Sequence, residues 1–390
     1  MSIDTVRIGD ICVILNGFAF KSENYVDSGI RIIRISNVQK GYIEDSTPVF
    51  YPIDSVGLDK FMLESGDLLI SLTGNVGRVA ILANKFLPAA LNQRVACLRM
   101  KSSKVSKGYL YHILNSDYFE QKCIQSSKGV AQKNMSTEWL KDFEIPVYDE
   151  EKQAEIVSIL DSLQVIIANR RQELCQLDDL IKARFVEMFG KLEDNRYPIV
   201  RLGDYARLQG GYAFKSKDFV DGGIPLVQIG NINKDYLDWN VVNFLPEEYL
   251  NIYNEFALGK GDLVMAMTRP IIKSLDSVKI AKVAENDLPC LLNQRVGRFQ
   301  IKEKLQPVFL EVLCKTDDFK DYVERMSGNS LQPNISSKQV EDYMIILPPI
   351  ERQEEFATFV AQVDKSKVVI REALKKTQLL YDSLMQVYFG

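Results

Sequence analysis

A single histidine, His112, occurs in 390 residues. Metal sites and acid–base catalysis lean on histidine, so its scarcity removes most routes to either. His112 lies in "GYLYHILNSDYF", a stretch of helical spacing, and reads as a packed or solvated residue, not a catalyst. The six cysteines (Cys12, Cys97, Cys123, Cys175, Cys290 and Cys314) are scattered, with no C-x-x-C pair. Neither a zinc site nor a disulfide framework is expected, and a reducing cytoplasm is the simplest location. No run of about 18 apolar residues exists, so no membrane span is expected. The first residues, "MSIDTVRIGD", show no charged-then-apolar leader. There is no G-x-S-x-G elbow, no H-E-x-x-H and no Asn-Pro-Pro-Tyr-like amino-methylation motif. "NGFAFKS" and "QGGYAFKS" lack the glycine before lysine that a phosphate loop requires. The carboxylates are numerous but follow no catalytic pairing. The chain is expected to be no enzyme, with no metal and no cofactor of its own.

What is present is a repeat. "IGDICVILNGFAFKS" at 8–22 returns as "LGDYARLQGGYAFKS" at 202–216. "GIRIIRISN" at 29–37 returns as "GIPLVQIGN" at 223–231, and "SGDLLISLT" at 65–73 as "KGDLVMAMT" at 260–268. "LNQRV" at 91–95 returns unchanged at 292–296, "EEKQAE" at 150–155 as "IERQEE" at 350–355, and "MFG" at 188–190 as "YFG" at 388–390. Two copies of one unit imply a molecule with internal pseudo-twofold symmetry; a solenoid needs more and shorter repeats. Between Thr73 and Leu91 lie 17 residues, and between Thr268 and Leu292 lie 23. The six extra residues belong in a surface loop, because sheet cores rarely tolerate insertions.

Each copy has two textures. Short apolar runs bounded by Gly and Asp read as strands, and "KGYLYHILNSDYFEQKCI" has helical spacing, so residues 1–149 and 191–349 are each expected to form an α+β globular domain. From Glu151 to Phe189, and from Glu351 to Phe389, there is no Pro and no Gly. Residues 150–190 and 350–390 are therefore read as long helices of roughly 55 Å, with Gly190 and Gly390 where a C-terminal cap belongs. A 4–3 seam runs through Ile156, Leu160, Leu163, Ile167, Arg170, Leu174, Leu177, Ile181, Arg184 and Met188. It runs equally through Phe356, Val360, Val363, Lys367, Ile370, Leu374, Thr377, Tyr381, Leu384 and Tyr388. Seams of that length predict an antiparallel two-helix coiled coil separating the two domains.

Positive charge is clustered although the net charge is −4. Residues 99–141 hold eight Lys/Arg against three acids, and residues 269–282 hold four against one. Asn and Gln lie among or near them. Cations on phosphates with Asn, Gln and Arg on base edges is the chemistry of DNA readout. The candidate contacts are Asn75, Arg78, Lys128, Gln132, Lys133 and Asn134 in the first copy. In the second they are Arg269, Lys273, Ser274, Asn329, Gln332 and Asn334. They lie where the copies diverge or in the polar loop ahead of each long helix. "TGNVGR" at 73–78 is either a phosphate-contacting turn or a plain hairpin loop. Arg94 and Arg295, in the unchanged "LNQRV", either support the fold or contact phosphate; Lys21 and Lys215 fall under the same argument.

This doubled order resembles the specificity subunit of a type I restriction–modification enzyme, over essentially the whole chain. "LPPIERQEEF" looks like that family's P-x-x-E-Q motif; the first copy departs from it, with Pro146 further upstream and "DEEKQ" in place of "PIERQ". The resemblance implies two target-recognition domains, each reading one half of a bipartite, asymmetric site in double-stranded DNA. It implies helices that fix the spacer and dock two modification subunits, which carry S-adenosylmethionine and methylate adenine. It further implies motor-nuclease restriction subunits that use ATP and magnesium. The alternative is a protein–protein adaptor with no nucleic-acid role, which the acidic balance favours. An enzyme with a site between the two domains would need convergent titratable groups that the sequence does not supply.

Overall fold

The computed structural model describes residues 4–127, 134–328 and 330–390. The chain divides into two compact units, residues 1–171 with 371–390, and residues 172–370. Each contains one α+β domain and a share of both long helices, Glu150–Phe189 and Ile350–Phe389.

In the first unit, an antiparallel four-stranded sheet has the order Cys12–Asn16, Val95–Met100, Leu68–Ser71, Val79–Ile81. A second sheet orders Phe50–Tyr51, Ile30–Ile33 and Ala89–Leu91, the last two parallel. Asp4–Arg7 pairs with Glu144–Val147. The strand "LLIS" reads as an unbroken apolar run because it is covered on both faces. Alternate side chains point to opposite sides. Leu68 and Ile70 join a core with the helices, whereas Leu69 joins one with Ile33 and Leu91 of the second sheet.

The second unit repeats this plan with Ala206–Gly210, Val296–Ile301, Leu263–Ala266 and Ile280–Lys282. Its smaller sheet is Asn243–Leu245, Ile224–Val227 and Leu291–Leu292. The six extra residues fall at the surface as expected, but they are not irregular: Ile271–Ile272 and Ser277–Val278 pair as an added hairpin. The stretch read as one helix is two, Lys107–Leu114 and Asp117–Ser126. Ser116 breaks it, because its hydroxyl caps the second helix by accepting from the Phe119 N–H at 3.2 Å.

Every seam position of both long helices is buried or half-buried. In the first unit the helices run antiparallel. Gln164 donates to the Tyr381 hydroxyl at 2.9 Å, and Arg170 donates to the Ala373 carbonyl at 2.6 Å and to Thr377. In the second unit Lys367, 5 % exposed, reaches Asp178 at 2.6 Å, and Arg184 lies 3.9 Å from Glu355, again antiparallel. The polar residues that interrupt the seam are thus matched by polar partners. Phe389 meets Tyr109 edge-on at 5.5 Å, and Phe189 meets Phe309 and Phe356 edge-on at 5.0 and 5.4 Å. The repeated "FG" therefore locks each helix end into a domain core. Gly190 takes φ +73° and closes its helix as the expected cap.

The repeated glutamine at each helix start is also structural. Gln153 Oε1 accepts from the Ser106 N–H at 2.9 Å, while Nε2 donates to the Lys104 and Tyr148 carbonyls at 3.0 and 2.8 Å. Gln353 repeats all three bonds with Gln306, Lys304 and Pro348. Asp67, buried in the repeated "GD", holds Arg99 through two bonds of 2.9 and 2.8 Å.

Candidate nucleic-acid interface

Four repeated segments meet at one edge of the larger sheet in each unit. In the first, Phe18 N–H donates to the Leu91 carbonyl at 2.8 Å, and Gln93 N–H to Phe18 at 2.9 Å. Leu72 N–H donates to Arg94 at 2.9 Å, and Met135 N–H to Leu72 at 2.8 Å. Thr73 and Asn134 form a bridge. The second unit repeats each step: Tyr212 on Leu292, Gln294 on Tyr212, Met267 on Arg295, Ile335 on Met267, and the bridge Thr268–Asn334. Glycine is required in "NGF" and "GGY" because a Cβ on Gly17 or Gly211 would overlap the backbone of Asn92 or of Leu292 and Asn293.

The 73–78 segment is a hairpin loop between antiparallel strands. Buried Ser71 pins it: its hydroxyl donates to the Asn75 carbonyl at 2.5 Å and accepts from the Arg78 N–H at 3.0 Å. Asn75 stands exposed at the tip, and Asn134 is exposed beside it. Arg78 is half-buried at the loop's foot and donates to Gln39. Lys128, Gln132 and Lys133 lie outside the described residues, as does Asn329 of the second copy.

In the second unit Arg269 is exposed, takes φ +49° and donates its N–H to the Pro333 carbonyl at 2.7 Å. Lys273 and Ser274 are exposed at the tip of the added hairpin, whose Asp276 pairs with Lys320 at 2.7 Å. Gln332 is exposed. Asn334 uses its amide internally: Oδ1 accepts the Thr268 hydroxyl at 2.5 Å and Nδ2 donates to the Gln332 carbonyl at 2.8 Å. The candidates of each copy that are described come from two distant segments, and the fold sets those segments side by side.

Sequence reasoning left two features out of its candidates. Lys279 occupies the position of Arg78, since Ala266 N–H bonds the Lys279 carbonyl as Ser71 N–H bonds that of Arg78. Burial, with the charge of Arg269 added, holds the Lys279 ammonium below its ordinary pKa. Alignment across the insertion was the available signal. The other feature is Leu331, 99 % exposed one residue before Gln332; an apolar side chain there suits a thymine methyl. Among the described residues no group of three or more His, Cys, Asp or Glu could hold a metal ion. Among the described residues no helix is long and apolar enough to cross a membrane.

The family model for the type I restriction modification DNA specificity domain matches residues 2–177 and again 196–379. The chain belongs to this family. It is the DNA-sequence-recognition subunit of a type I restriction–modification system, a specificity subunit that is itself non-catalytic. It is 25 % identical to the type I restriction enzyme MjaVIII specificity subunit of Methanocaldococcus jannaschii, over 96 % of this chain and 90 % of that protein. It is 32 % identical to the EcoAI specificity subunit of Escherichia coli over 47 % of this chain and 32 % of that one. Among solved structures, a chain from a type I R-M system described in terms of complex assembly and conformational transition matches with TM-score 0.55 and 15 % identity, over 100 % of this chain and 99 % of that one. The type I S subunit from M. genitalium matches with TM-score 0.53 and 14 % identity, over 100 % and 96 %. These likenesses support the two-domain α+β fold, and nothing in them favours a pure adaptor.

Proposed function

We propose that each unit of this specificity subunit reads one half of a bipartite, asymmetric site in double-stranded DNA. The observation that carries this is the convergence, at the same sheet edge in both units, of segments that are shared with segments that differ. Shared segments build the platform, and the differing ones choose bases. In the first unit Asn75 and Asn134 face the duplex and Arg78 braces the loop from its foot; Lys128, Gln132 and Lys133 remain proposed contacts by their sequence. In the second, Arg269, Lys273, Ser274 and Gln332 face the duplex, Asn329 remains a proposed contact by its sequence, and Asn334 holds the loop to the sheet and offers its remaining N–H.

The long helices serve the complex. Val165, Ile166, Leu379 and Leu380 in the first unit, and Leu180, Val368 and Val369 in the second, are exposed apolar side chains off the seam. Such residues suit helices of partner proteins. Our reading is that two modification subunits dock there, bringing S-adenosylmethionine, and that motor-nuclease subunits bring ATP and magnesium. The assembly works in the cytoplasm, where its DNA is. In this reading the helices fix the unread spacer between the half-sites.

The test is selection of duplexes from a random pool by the chain assembled with its modification partners. Alanine at Asn75 and Asn134 should relax one half-site only. Alanine at Arg269, Lys273 and Gln332 should relax the other. Removing four residues at matched heights from each long helix should shorten the selected spacer. No duplex selectivity at low salt would overturn the reading, and an unchanged spacer would overturn the ruler alone.

A further inference from the structure

We infer that Arg94 and Arg295 are sequence-independent phosphate contacts that seat each reading loop on the duplex. The inference rests on the functional reading above and assigns to two residues a task distinct from base choice. Both arginines lie in the one pentapeptide, "LNQRV", that the two copies share without change. The structure separates their backbone from their side chains. Each carbonyl accepts the N–H of the residue just ahead of a differing loop, Leu72 or Met267, at 2.9 Å. Each preceding glutamine, Gln93 or Gln294, is bonded through its N–H to the shared "GF"/"GY" segment at 2.9 Å. The turn is thus fixed between the constant platform and the variable loop.

The side chains do no such work. Arg94 and Arg295 are exposed, and among the described residues neither guanidinium has a hydrogen bond, an ion pair or an aromatic partner. Arg99 and Arg298, on the strands that follow these turns, show the contrast, since both are tied to buried or half-buried carboxylates. A fold-supporting role for the Arg94 and Arg295 side chains therefore has nothing to act on. An identical side chain on an identical turn also cannot by itself distinguish two different half-sites. What two different half-sites have in common is the sugar–phosphate backbone. A planar guanidinium with five donors matches a phosphate.

The test uses the chain assembled with its modification partners, the duplex it selects from a random pool, and a scrambled duplex of equal length. Affinity is measured between about 50 and 200 mM salt. For the double variant Arg94→Ala, Arg295→Ala, the slope of log affinity against log salt should shrink by about 1.8, near 0.9 per lost contact. Over a fourfold change in salt that is about a tenfold smaller loss of affinity than in the wild type. Selected and scrambled duplexes should weaken together, their ratio staying within about twofold, as phosphate contacts require. Arg94→Lys, Arg295→Lys should restore most of the slope, and thermal melts should match, which separates the effect from misfolding. An unchanged slope, or a collapse of the selected-to-scrambled ratio, overturns the inference. A wild-type complex with no selectivity overturns the functional reading instead, and this inference with it.

Discussion

Gln353 sits at 0 % exposure where the second long helix begins, and its amide is fully used. Replacing it with methionine keeps length, volume and helix propensity and removes only the three hydrogen bonds. The Pro348 carbonyl is buried and loses a 2.8 Å donor; the half-buried Gln306 N–H loses a 2.9 Å acceptor; the Lys304 carbonyl, on an exposed residue, can turn to water. An orphaned buried group costs about 1–3 kcal/mol and a replaceable bond about 0.5–1.5, so Gln353→Met should cost about 2–4 kcal/mol. A unit of this size shifts by about 2–4 °C per kcal/mol, giving a drop of roughly 4–16 °C in its melting transition. Calorimetry of the full chain resolves it, with exposed Glu354→Ala as the control on the same turn. Gln153→Met should reproduce the effect in the first unit. A loss below about 0.5 kcal/mol at both sites would refute the view that this repeated residue is a clamp.

Asp67→Asn removes the charge that holds Arg99 in a mostly buried setting. It should cost the first unit about 2 kcal/mol by urea denaturation, tempered by Glu64, which stays 3.2 Å from the same guanidinium. His112 is 0 % exposed, its Nε2 lies 2.8 Å from Asp161 Oδ1, and its Nδ1 has no partner among the described residues. Burial holds its pKa below the ordinary value of about 6.5, and the Asp161 contact only partly opposes this. The unfolded chain therefore binds the proton first. Stability of this unit should be complete above about pH 6.5 and fall as the pH drops below it. His112→Val, which copies Val312 of the second unit, should remove that slope in melts taken across pH 5–8; an unchanged slope would assign it to other groups.

The repeat made the two-unit plan readable because it required no knowledge of contacts. The seam was readable for the same reason: a 4–3 pattern survives polar exceptions such as Arg170 and Lys367. What those exceptions do was not readable, since Asp178 and the Ala373 carbonyl become their partners only once the helices pair. The break at Ser116 was present as a local Ser-Asp-Tyr-Phe cap, hidden by apolar spacing that continues through it. Repeated letters also proved ambiguous. Asn37 and Asn231, in "ISN" and "IGN", tie off turns through the Glu44 and Asp238 carbonyls. Gln153 and Gln353 tie helices to turns 47 residues earlier. Such roles depend on backbone partners that a linear pattern does not name. The equivalence of Lys279 with Arg78 was masked by the insertion between them and the anchoring threonines.

That insertion has its own consequence. Residues 271–278 form a pair of short strands outside the four-stranded sheet, fastened by the Asp276–Lys320 pair and by Val278 and Ile271, which pack into the unit's core. Its exposed tip, Lys273 to Leu275, can be rewritten without touching the core, whereas Val278 is held to an apolar side chain. If Lys273 and Ser274 touch bases as proposed, exchanging this short tip is a route to a different half-site that leaves the rest of the unit unaltered.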